Sequence, residues 1–121
     1  MRICIFGAGA IGALMGGKLA AAGHDVTLIA RGAHGEAMAR NGLRLEVKGE
    51  VSVVHPRVTS EPSGATGADY VILTMKAHGV PTALAGLGPV LGRDATVVLV
   101  PPLAELDPTF SYLTGSGFRR I

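Results

Sequence analysis

The sequence predicts an α/β fold, a doubly wound and mostly parallel sheet covered by helices on both faces. Short apolar runs recur at 2–6, 25–30, 69–74 and 95–100, each long enough for a buried strand and too short for a helix. Segments of helical composition separate them. A glycine-rich turn joins the first run to the first helical segment, as a strand–turn–helix unit requires.

Taken in order, Arg2 to Phe6 is a strand bounded by Gly7. Ala10 to Ala22, rich in Ala, Leu and Met, is a helix with Gly23 at its stop. Asp25 to Ala30 is a second strand with several β-branched residues. A short helix is expected from Gly35 to Arg40, ended by Asn41-Gly42. Leu43, Leu45 and Val47 then alternate with Arg44, Glu46 and Lys48, the period of a half-buried strand. A turn at Gly49-Glu50 leads into Val51 to Val54, so residues 43–54 read as a small antiparallel excursion at an edge, ended by Pro56. Ser60 to Gly67 reads as loop. Asp69 to Thr74 is a buried strand, Val80 to Leu84 a helix with Pro81 in its first turn, and Ala95 to Val100 the last strand before Pro101-Pro102. The residues beyond hold one modest helix signal, Asp107-Pro108.

Composition excludes several classes. With 121 residues, 48% hydrophobic and 17% charged, the chain suits one domain with a core rather than a disordered segment. Its 18 glycines show no every-third period. Eleven cationic against nine anionic side chains give +2, and the cations are scattered, which is no nucleic-acid footprint. Met1-Arg2 and the apolar run after them have the outline of a signal peptide, but Lys18 and the glycines among residues 3–17 fit strand–turn–helix better, and the run is too short to span a bilayer. The single cysteine, Cys4, reads as a small core residue and requires no oxidising compartment; a cytoplasmic location is expected.

The chemistry concentrates at Gly7-Ala8-Gly9-Ala10-Ile11-Gly12, a G-x-G-x-x-G directly after the first strand. Gly7 permits the turn, Gly9 lets the backbone approach a diphosphate, and Gly12 lets the helix pack closely. Unpaired N–H groups at the helix start would face the anion. This is the fingerprint of a Rossmann-type dinucleotide site, against the plainer reading of a glycine turn.

At the end of the second strand, where an NAD site offers a carboxylate to the ribose, stands Arg31, while Asp25 is at the wrong end. A guanidinium suits a 2′-phosphate, so NADP is expected; the alternative is a solvated arginine. Lys76, after the third buried strand, could reach a phosphate, a ribose or an anionic substrate, or stand exposed. His78 lacks a visible orienting partner, and His24 fits a structural role in its turn. His34 and His55 have no ligand spacing with each other or with Cys4, so no metal site is expected.

The chain resembles the N-terminal domain of the ketopantoate reductase (2-dehydropantoate 2-reductase) family from Met1 to about Val100. The resemblance rests on residues 5–12, 22–32, Asn41-Gly42-Leu43-Arg44-Leu45 and Thr74-Met75-Lys76-Ala77. It implies that Gly7, Ala8, Gly9, Ala10, Ile11 and Gly12 cradle the NADP diphosphate, that Arg31 faces the 2′-phosphate and that Lys76 contacts the cofactor. It also implies NADPH-dependent reduction of 2-dehydropantoate to pantoate, toward pantothenate and coenzyme A.

Two departures shape the expectation. Where the family has an Asn-Gly pair after the last strand, this chain reads Pro101-Pro102-Leu103. The family also continues into a helical domain that supplies the lysine acid and most substrate contacts. Residues 1–100 are therefore expected to form an NADP-binding domain and 101–121 a diverged tail, with no catalytic residue assigned. Binding of NADPH without turnover, and self-association through uncovered apolar surface, are the corresponding expectations. The keto-acid substrate would enter only if a second domain or partner chain completes the cleft; nucleic acid and membrane are not expected as partners. A free-standing NADPH-binding sensor or interaction module is the alternative.

Overall fold

The computed structural model describes residues 1–7, 9–75 and 79–100. Five strands form one parallel sheet: β1 (Arg2–Phe6), β2 (Asp25–Ile29), β5 (Arg57–Thr59), β6 (Tyr70–Leu73) and β7 (Thr96–Leu99), in the order β5-β2-β1-β6-β7. The chain runs outward from β1 through β2 to β5, then returns to β6 on the other side of β1 and passes on to β7. The direction of winding thus reverses between β1 and β6, and such a crevice is where open α/β sheets bind ligands. Register aligns the strand ends: Phe6 pairs with both Ile29 and Leu73, Thr59 with Ile29, and Leu99 with Leu73.

The central strand is apolar on both faces because both are covered. Cys4 and Phe6 face a cluster with Val71, Leu73, Val97 and the residues Val80, Ala83, Leu84 and Leu87 of helix α3 (Val80–Leu87). Ile3 and Ile5 face the opposite cluster with Val26, Leu28 and Ile72, packed by Ala13, Met15, Leu19 and Ala20 of helix α1 (Ala10–Ala21). Met38, of helix α2 (Gly32–Asn41), joins this second cluster. Cys4 is 1% exposed, and burial pushes its thiol up to about 12, as expected of an inert core thiol.

Residues 43–54 do form an antiparallel pair, β3 (Leu43–Val47) with β4 (Glu50–Val54), but as a separate two-stranded sheet rather than an edge of the main one. It packs on α1. A β-carbon on Gly16 would meet Leu28 of the main sheet at 2.5 Å, and one on Gly17 would meet Leu45 at 2.5 Å and Leu43 at 2.8 Å. Two adjacent glycines thus let α1 sit tightly between sheet and hairpin. The hairpin turn is Lys48-Gly49, both at positive φ (52° and 79°), one residue earlier than glycine placement alone suggested.

Four further differences are local. Helix α2 begins at Gly32 rather than Gly35, springing directly from the end of β2; Gly35 is buried there, where a β-carbon would stand 2.7 Å from the Ala30 carbonyl oxygen. Strand β5 was not expected after Pro56. The short 3-10 helix η1 (Pro62–Ala65) lies within the expected loop. Helix α3 continues past Leu84 to Leu87, and Gly86 leaves room there for Pro62 of η1, 3.0 Å from where its β-carbon would be. Among the described residues no helix is long and apolar enough to cross a membrane.

Candidate functional site

The carboxyl ends of β1, β2 and β6 open onto a cleft of about 610 Å³ lined by residues 6, 7, 9, 29–31, 34, 75, 79, 82 and 83. Its size is that of a small-molecule site. Main-chain bonds hold its rim: Gly7 N–H donates to the Ile29 carbonyl at 3.0 Å, Ala30 N–H to Thr59 at 2.9 Å, and Thr74 N–H to Phe6 at 3.1 Å.

Each glycine of the first loop has a separate mechanical reason. Gly7 turns the chain with φ +101°, a conformation that side-chain-bearing residues rarely adopt. Gly9 caps α1 and lines the cleft, and a β-carbon there would project into open space, with nothing within 4 Å. Gly12 lies beneath: a β-carbon there would overlap the Gly7 carbonyl oxygen and stand 2.7 Å from Thr74 Oγ1. Ala10 begins α1, and the Ile11 side chain is 58% exposed on the outer side of that helix. Ala8 and Lys76 lie outside the described residues, as do His78 and the segment 101–121.

Arg31 caps α2 and lines the same cleft as Gly7 and Gly9, so the structure brings together the loop and the arginine that the sequence singled out. Asp25 is indeed at the other end of β2. Its carboxylate accepts from Arg57 at 2.6 Å and lies 3.4 Å from Arg2 Nε, away from the cleft. Among the described residues no carboxylate lines the cleft, and no three groups could hold a metal ion.

Electrostatics favour an anion here. The caps of α1, α2 and α3 are Gly9, Arg31 and Gly79, all of which line the cleft. None gives a side-chain hydrogen bond to its helix, and no first turn carries an acid. The starts of α1 and α2, with N–H groups unpaired by their caps and with their positive dipole ends, therefore converge on one cavity, and α3 begins beside it with Pro81, which has no N–H, in its first turn. Arg31 and His34 place basic side chains at the start of α2, where a helix by itself favours acids.

Sequence reasoning placed Met75 at the ligand-binding edge without giving it a role, and missed the rest of the wall, formed by Gly79, Thr82, Ala83 and His34. It also passed over the Thr74 hydroxyl, which donates to the main-chain carbonyl of Gly7. Position at a strand's carboxyl end was the available signal for Thr74 and Met75. The α3 residues carry none, because small uncharged side chains in a helix start look like any other packing surface.

Comparison with known proteins accords with this geometry. A 2-dehydropantoate 2-reductase from Mesorhizobium japonicum is 46% identical over 99 residues, covering 81% of this chain and 30% of that protein. The crystal structure of a PanE/ApbA family ketopantoate reductase from Ralstonia eutropha superposes with a TM-score of 0.87 at 36% identity, covering 99% of this chain and 39% of the other. A D-mandelate dehydrogenase solved with NADH and anilino(oxo)acetate matches with a TM-score of 0.71 at 29% identity, over 84% of this chain and 33% of that one. The chain thus spans about a third of the length of these relatives. The family model for ketopantoate reductase PanE/ApbA matches residues 3–101, across the sheet and the glycine loop alike, and the chain belongs to that family of oxidoreductases.

Proposed function

We propose that this chain is the cofactor-binding part of an NADPH-dependent oxidoreductase of the 2-dehydropantoate 2-reductase type. The observation that carries the reading is the meeting, in one cleft without a described carboxylate, of the Gly7–Gly9 turn, the starts of α1 and α2, and Arg31.

The residues present fit the dinucleotide. The open space at Gly9 is the room a diphosphate needs, and the loop from Gly7 through Ala8, Ala10 and Ile11 to Gly12 would offer it main-chain N–H groups. Arg31 would hold the 2′-phosphate, with the start of α2 and His34 beside it; a 2′-phosphate offsets the unfavourable placement of these bases at a helix's positive end. Lys76, by family resemblance, would contact the cofactor as well. When bound, NADPH supplies a hydride to the keto carbon of the substrate.

No residue of this chain is assigned to protonate the resulting alkoxide, so the chain by itself is proposed to bind NADPH without turnover. The keto-acid substrate, and a place in pantothenate synthesis in the cytoplasm, follow from the family alone. Residues 1–100 would be the NADP-binding domain and 101–121 a diverged tail. NMR chemical-shift mapping tests the reading. NADPH is expected to shift the amides of Gly7, Gly9, Arg31 and Gly79; shifts confined to the Asp25–Arg57 end of the sheet would overturn it.

A further inference from the structure

We infer that Thr74 is a positioning residue that locks the glycine loop in its anion-receiving shape, an inference that rests on the dinucleotide reading above. Residues beyond Phe6 leave the β1 ladder. Gly7 still gives its N–H to Ile29, but among the described residues its carbonyl accepts no main-chain hydrogen bond from a strand. The Thr74 hydroxyl supplies one: Oγ1 donates to the Gly7 carbonyl and lies 3.3 Å from that of Phe6, while the Thr74 N–H donates to Phe6 at 3.1 Å. A hydroxyl has a single proton, so the two carbonyls share it, with Gly7 the nearer.

The same oxygen occupies a crowded point. A β-carbon on Gly7 would stand 3.2 Å from Thr74 Oγ1, and one on Gly12 would stand 2.7 Å from it. Strand end, glycine turn and first helical turn therefore meet at one side-chain oxygen on β6's carboxyl end. Glycine at positive φ is the residue with most freedom to leave that conformation. Released from Thr74, the Gly7 carbonyl would be free to turn into the cleft that Gly7 lines, where its negative end repels an anion. Pinning the carbonyl removes that alternative before ligand arrives, which is preorganisation.

The test compares the 121-residue chain with Thr74→Val and Thr74→Ser. Two readouts are taken: the NADPH dissociation constant, well below the unfolding temperature, and amide hydrogen exchange at Gly9 and Gly12 without ligand. Thr74→Val keeps the shape and removes the proton; it is expected to weaken NADPH roughly ten- to a hundredfold and to speed exchange in the loop. Thr74→Ser keeps the hydroxyl and is expected to stay within about threefold of the parent. A Thr74→Val chain that loses thermal stability but binds and exchanges like the parent would overturn the lock and leave a merely structural threonine. Should that variant not fold, Thr74→Ala is judged by the same readouts. A parent chain that binds neither NADPH nor NADH overturns the dinucleotide reading instead, and the exchange comparison then still decides the lock.

Discussion

The carbonyl oxygen of Gly7 occupies the place that a β-carbon on Gly12 would need, so the first turn of α1 rests directly on the loop that precedes it. Gly9, three residues earlier than Gly12, has empty space at the same position and an ordinary φ of −71°. The two glycines of one motif therefore differ: Gly12 closes the helix onto the loop, whereas Gly9 leaves open the space proposed for the ligand.

Substitution separates them. Gly12→Ala forces the loop from its place and is expected to destabilise the chain by about 1–3 kcal/mol, as overpacking does. Gly9→Ala costs about 1 kcal/mol or less, the price of a poorer helix cap, yet is expected to weaken NADPH binding about tenfold or more by filling the ligand's space. Thermal unfolding and nucleotide titration of both variants check this; a Gly9→Ala chain with undiminished binding would contradict it.

Arg31 is expected to discriminate between nucleotides rather than to bind both. Arg31→Ala should weaken NADPH about ten- to a hundredfold and leave NADH within about twofold, since only the 2′-phosphate contact is lost. Parallel titrations read this directly, and equal losses for both nucleotides would place Arg31 elsewhere on the ligand.

Asp25 provides the complementary control. Its pairs with Arg57 and Arg2 are partly exposed and lie at the amino end of the sheet. Asp25→Asn is expected to cost no more than about 1 kcal/mol of stability and to leave both nucleotide affinities unchanged. A rise in NADH dissociation constant would instead make Asp25 a ribose ligand.

Cys4 links stability to alkaline pH. Its thiol is raised from about 9 to about 12 in the folded chain, so between these values the unfolded state releases a proton that the native state keeps. Stability is thus full below pH 9 and falls as pH rises toward 12, by up to about 1.4 kcal/mol per pH unit. Urea unfolding of the parent and Cys4→Ala across this range checks the slope, which the alanine chain should lack. Parallel slopes would show that other groups carry it.

What was legible in the sequence was local and periodic. Strand β1 and helix α1 follow from an apolar run, a glycine loop and an Ala/Leu-rich stretch that Gly23 ends. Strand β5 was not legible, because three residues, Arg57 to Thr59, carry no period and follow Pro56; pairing with β2 makes them a strand. The hairpin's pairing was readable from alternation, whereas its place against α1 was not, since it depends on Gly17 meeting Leu43 and Leu45. In the cleft, the loop and Arg31 were readable from motif spacing. The bond from Thr74 to Gly7 was not, because it spans 67 residues and arises only when β6 lies beside β1.

By the reading proposed above, the cleft between β1 and β6 holds an NADPH molecule through the glycine loop and Arg31. Fluorescence titration of the chain with NADPH beside NADH tests it most directly. Saturable binding with NADPH preferred about tenfold or more is the expected result, as one charged contact provides. Saturable binding with no preference would contradict the role of Arg31, and binding of neither nucleotide would contradict a dinucleotide site in this cleft.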